Sequence, residues 1–111
     1  MKWYKPLYQG QEARKQKLKL LMRVSKRKYQ KDVFLITLPA NADNVLDIIE
    51  AKQLLMPWYN KKEIKDKIHI IGIAKGKSEA YEVVRTIVDE VYHQSGGFNV
   101  AEYLGIAVEK E

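Results

Sequence analysis

At 111 residues, with 46% apolar content, the chain is the size of one domain with one hydrophobic core, and it lacks the apolar-poor composition of a disordered chain. Zero cysteines exclude disulfides, thiolate metal sites and a cysteine nucleophile, and no apolar run approaches the length of a membrane helix. The net charge of +6 is unevenly spread: through Lys31 there are eleven Lys or Arg against the single acid Glu12, and from Asp32 onward nine against thirteen acids.

Residues 1–16 read as an N-terminal arm ahead of a single α/β domain over 17–111. The arm begins MKWYKPLYQG, which runs straight to Pro6 and Gly10 without an apolar stretch, so no secretory signal is expected and the expected home is cytoplasmic, without a membrane partner. Next comes the ambiguous QEARKQKLKLLMRVSKRKYQ. Leu18, Leu21, Met22 and Tyr29 fit a helical stripe, whereas Leu18, Leu20, Met22 and Val24 alternate with polar residues as in a half-buried strand. Topology favours the strand, because two parallel strands alone would make a marginal sheet and a hairpin partner supplies a third.

VFLITL, residues 33–38, is a continuous β-branched and aromatic run, the pattern of a strand buried on both faces. NADNVLDIIEAKQLLMPWYN places Val45, Ile48 and Ile49 on one helical face, with Asn41 or Asp43 as cap and Pro57 as stop. IHIIGIA, residues 68–74, reads as a second buried strand. In SEAYEVVRTIVDEVYHQ, residues Ala80, Val83, Val84, Ile87, Val88 and Val91 recur at three- and four-residue spacing, which predicts a helix capped by Ser78 and ended by Gly96 and Gly97. Asn99 and Glu102 have capping-box spacing before a short last helix. The expected order is β-β-α-β-α plus a short C-terminal helix: a two-layer α/β (α+β) sandwich with a three-stranded mixed sheet. Strands 33–38 and 68–74 run parallel through a right-handed crossover, and helices lie on one face. Because both strands are apolar on both faces, the arm, the last helix or a second subunit must cover the other side, and a symmetric homodimer is one expectation.

LITLPANADNVLDII, IHIIGIAKG and GGFNVAEYLG resemble segments of a group of small uncharacterised proteins from clostridial-type bacteria, over most of the chain past residue 17. The resemblance implies a recurring module and transfers no catalytic residue.

Gly72-Ile73-Ala74-Lys75-Gly76-Lys77-Ser78 lies between strand and helix, where a phosphate loop would lie, but has three residues between its glycines instead of four. Gly76, Lys77 and Ser78 keep the elements of an anion-binding turn at a helix N-terminus, suited to a phosphate-bearing ligand in a binder or a small enzyme. The alternative is that Gly76 turns the chain and Ser78 caps the helix. His69 and His93 have no partners at metal or triad spacing. Asp43, Asp47 and Glu50 read as a solvated helix face rather than a carboxylate ligand set. No catalytic residue, cofactor or metal is expected.

Lys17, Lys19 and Arg23 would share the outer face of a first strand, with Lys26, Arg27, Lys28 and Lys31 at the following turn. Such a ridge rewards a phosphate backbone through counterion release, and Trp3, Tyr4, Tyr8 and Tyr29 would stack on unpaired bases. Lysines also guard edge strands against unwanted pairing. The leading expectation is a non-catalytic binding or accessory module for an acidic partner, nucleic acid or protein. The phosphate-ligand turn and a purely structural homo-oligomer are the alternatives.

Overall fold

A computed structural model describes residues 2–16, 19, 32–40 and 43–106. In chain order the elements are β1 (Lys2–Gln9), α1 (Gln11–Lys15), β2 (Val33–Thr37), β3 (Asp47–Glu50), two 3-10 helices (Ala51–Leu55 and Pro57–Asn60), α2 (Lys62–Lys65), β4 (His69–Lys75), α3 (Lys77–Ser95) and α4 (Val100–Leu104). The strands form one mixed sheet in the order β1-β4-β2-β3, so the class is α+β as expected, with four strands instead of three. Among the described strands, β1 and β4 run parallel and the other two pairs antiparallel.

Several expectations change. Residues Lys2–Gln9, read as an arm, are an edge strand of the sheet. β2 and β4 pair antiparallel, with Leu35 opposite Ile73, and no crossover helix joins them. The helix expected after residue 43 is replaced by β3 and the two 3-10 helices. The cause is the free edge of β2, whose backbone groups need partners once β4 has taken the other edge. β-branched Ile48 and Ile49 suit that role and pair with Ile36 and Leu35. Asp47 closes the intervening loop, accepting from the Ala40 N–H at 2.9 Å and from Asn44 Nδ2 at 3.2 Å. Glu50 then starts the first 3-10 helix in a reciprocal capping arrangement with Gln53. Asp43, Asp47 and Glu50 therefore share no helix face. The strand expected over 17–25 lies outside the described residues except for Lys19, which is helical and exposed.

The long helix follows its spacing: Ala80, Val83, Ile87 and Val91 are its buried stripe, and Gly96 ends it in the left-handed conformation at φ +77°. Its start differs by two residues. Gly76, at φ +87°, is the N-cap, a backbone conformation open to glycine and costly to serine, so Ser78 lies within the first turn instead of capping it. Asn99 caps α4, accepting from the Glu102 N–H at 3.1 Å.

Both sheet faces are covered by the chain itself. On one, Val33, Leu35, Ile70 and Ile73 pack with Ala13 of α1 and with Ala51 and Leu54 of the 3-10 segment. On the other, Ile36, Ile71 and Ala74 pack with the α3 stripe and Val100 of α4. A second subunit is not needed to complete the core.

The pairing of β4 with β2 is interrupted once. Ile36 pairs with Gly72 and Thr37 with Ile70, which leaves Ile71 opposite nothing on β2: a β-bulge. Ile71 and Gly72 consequently point to the same, α3-covered side. A β-carbon on Gly72 would lie 3.1 Å from Val83 Cγ1 and 3.3 Å from Ile36 Cβ, so the position is glycine because the helix packs directly on the backbone. Replacing Gly72 with Val should lower unfolding stability by about 1–3 kcal/mol, the usual cost of overpacking a filled core. Urea denaturation checks this, and Gly72→Ala should fall between wild type and Gly72→Val.

Candidate functional site

On its other edge β4 meets β1, and there the mismatch is larger. Trp3 pairs with Ile70 and Tyr8 with Gly72, so residues 4–7 of β1 lie opposite the single Ile71. The edge strand bulges away from the sheet at the stretch that contains Pro6, a residue tolerated at an edge because it has no N–H to offer the ladder. The bulge takes Tyr4 and Lys5, next to Lys2 and Trp3, out of the ladder, with Lys5 exposed and Tyr4 half-buried. With His69 and Ile106 these four line an open pocket of about 330 Å³. Trp3 braces one core layer and Tyr4 the other, which holds both rings in place.

The rest of that edge is tyrosine-rich. Tyr4 and Tyr8 stack with ring centroids 6.4 Å apart, and the Tyr8 hydroxyl donates to Glu90 of α3 at 2.5 Å. Tyr103 of α4 packs against the same core layer as Tyr4 and Tyr8. Burial, then the Glu90 carboxylate, push the Tyr8 hydroxyl well above its ordinary value, and Tyr103 is raised for the same reasons. Both phenols therefore remain hydrogen-bond donors at neutral pH. Around the pocket itself, burial and then the Lys2 charge lower His69 below the ordinary imidazole value, so at neutral pH it presents an uncharged ring near the Lys2 ammonium.

Gly76, Lys77 and Ser78 stand at the start of α3, next to a carboxylate that ties three elements together. Glu79, in the first turn of α3, reaches back and accepts from the Lys75 N–H at 2.5 Å, and across to α1 from the Glu12 N–H at 2.6 Å and the Ala13 N–H at 3.3 Å. Its carboxylate thereby caps α1 and joins α1, β4 and α3. A β-carbon at Gly10 would coincide with this carboxylate, which is why the residue before α1 is glycine. The Lys77 ammonium lies 6.0 Å from the Tyr81 ring centre, and Ser78 is exposed.

Of the basic ridge, only Lys19 is among the described residues; Lys17, Arg23, Lys26, Arg27, Lys28 and Lys31 lie outside them. Lys2, Lys5 and His69 belong to a cationic and aromatic group that sequence reasoning did not assemble, although Trp3, Tyr4 and Tyr8 were marked as stacking rings. A lysine or aromatic at five of the seven positions of KWYKPLY was the available signal. Among the described residues no cluster of His, Asp and Glu has the form of a metal site, and no helix is long and apolar enough to cross a membrane.

Fold and surface together define a class, a small α+β domain with an aromatic, lysine-bearing sheet edge. Comparison with known proteins finds no matching family model, no matching curated protein and no matching solved structure.

Two measurements check these assignments. Glu79→Ala should cost about 1–2 kcal/mol in thermal unfolding, as expected for the loss of a helix cap, with Glu79→Gln recovering part of it. An NMR titration of His69 should give a midpoint below about 6.5. Because the folded value is depressed, the stability His69 contributes is fully present above the unfolded imidazole value of about 6.5 and is lost as the pH falls from there through the folded midpoint.

Proposed function

We propose that the protein is a non-catalytic binding module for single-stranded nucleic acid, received along β1. The observation that carries this reading is the pocket at the sheet edge whose lining brings together two lysines, Lys2 and Lys5, and three aromatic residues, Trp3, Tyr4 and His69. Ammonium groups answer phosphates, and flat rings answer unpaired bases whatever their identity. A neutral His69 adds a stacking surface that takes up positive charge when an anion approaches. The excess of cations through Lys31 supports the same partner, because it adds long-range attraction to the short-range pocket. Tyr4 stacked on Tyr8 extends the aromatic surface along the strand. Nothing in the arrangement asks for a reacting group: Glu90 is engaged by Tyr8, and Glu79 by three backbone N–H groups.

Fluorescence anisotropy with single- and double-stranded oligonucleotides at several salt concentrations tests the reading. Single strands should bind more tightly, with an affinity that falls as salt rises. Lys2→Ser with Lys5→Ser should flatten the slope of log K against log salt by about 0.7 for each phosphate that is no longer neutralised. Changing Arg23, Lys26, Arg27 and Lys28 to Ser should weaken binding further. The His69 midpoint should rise when an oligonucleotide is bound. Absence of binding at low salt overturns the nucleic-acid reading, and an acidic protein then becomes the partner to seek.

A further inference from the structure

We propose that the outer face of α3 is the interface of a two-fold symmetric dimer, in which α3 packs antiparallel against α3 of a second copy. This does not rest on the nucleic-acid reading. The buried stripe of α3 is complete within one chain, yet the opposite face is not an ordinary solvated one. Tyr81 and Tyr92 lie on it with 55% and 50% of their surface exposed, and Phe98, 53% exposed, stacks on Tyr92 with ring centroids 5.2 Å apart. Between the two tyrosines stand Arg85 and Asp89. At 100° per residue, positions 81, 85, 89 and 92 fall within an arc of roughly 80°, so they form one stripe.

The order along the stripe is aromatic, cation, anion, aromatic, and it is self-complementary in one orientation only. A two-fold axis crossing the helix at position 87 sets Arg85 opposite Asp89 of the second copy, and Asp89 opposite its Arg85. The same operation brings Tyr81 beside Tyr92 and Phe98 of the other helix at both ends. A parallel pairing would set Arg85 against Arg85. Within one chain the Arg85–Asp89 contact is loose, 3.8 Å between side chains that are 80% and 62% exposed, so it contributes little there and both groups are available to a partner. The contact is isologous, as two-fold dimers require. The stripe from Tyr81 to Tyr92 spans about 16 Å at 1.5 Å per residue. A patch of that length belongs to the small class of interfaces, below about 1,200 Å², so the dimer exchanges with monomer as concentration changes.

Sedimentation equilibrium over micromolar to millimolar protein, with circular dichroism to confirm folding, tests the proposal. Wild type should show a monomer–dimer equilibrium that weakens as salt rises. Arg85→Asp alone and Asp89→Arg alone each place like charges across the axis and should raise the dissociation constant at least tenfold. An equimolar mixture of these two variants should recover the dimer, because each then meets the opposite charge, and the double swap R85D/D89R should self-associate again. A wild type that stays monomeric throughout overturns the proposal. So does a dimer indifferent to the single changes, or a mixture that fails to associate.

Discussion

The structure depends on β4 being hydrogen-bonded along both edges and buried on both faces. From Ile70 to Ala74 every residue is buried, so the strand has no solvent to satisfy its backbone and must find partners on each side. β2 answers on one edge, antiparallel, and β1 on the other, parallel. Each sheet face then needs a cover, and the chain supplies α3 with α4 on one side and α1 with the 3-10 segment on the other. The Glu79 carboxylate fastens these layers by taking backbone donors from both α1 and β4.

The same strand generates the site. A bulge at Ile71 and a glycine at 72 let α3 approach the sheet closely, and the longer bulge opposite it in β1 carries Tyr4 and Lys5 out of the ladder. The departure from regular pairing is therefore what opens the edge, while Trp3 and Tyr8 on either side keep it anchored. Rings held by the core cost little ordering on binding, which suits a surface that meets a flexible strand. Two surfaces result, the β1 edge and the outer face of α3, and they lie on different elements.

Legibility followed periodicity. The long helix was readable because Ala80, Val83, Ile87 and Val91 repeat at the spacing of one turn, and the strands at 33 and 69 because unbroken apolar runs suit a doubly covered sheet. The stretch from Val45 to Leu55 was misleading because Val45, Ile48 and Ile49 satisfy a helical face as well as a strand, and only the unpaired edge of β2 selected the strand. KWYKPLYQ alternates poorly and contains proline, so nothing local marked it as a sheet member; its pairing is decided by β4, far along the chain. That Glu79, one residue past Ser78, would bind Glu12 and Ala13 was not legible, because it is an interaction across 67 and 66 positions.

Residue pattern and composition were enough for what is local: one α+β domain, a helix with a single buried stripe and a glycine stop, two buried strands, no thiol chemistry, and a basic N-terminal third. Strand direction, the recruitment of β1, the conversion of an apparent helix into β3, and the meeting of Lys2, Trp3, Tyr4, Lys5 and His69 arise only in the folded chain. The physical reason is the range of the interactions. Periodicity, capping and turn preferences act over a few residues, whereas sheet pairing and bulges answer to the hydrogen-bonding and packing demands of a distant strand.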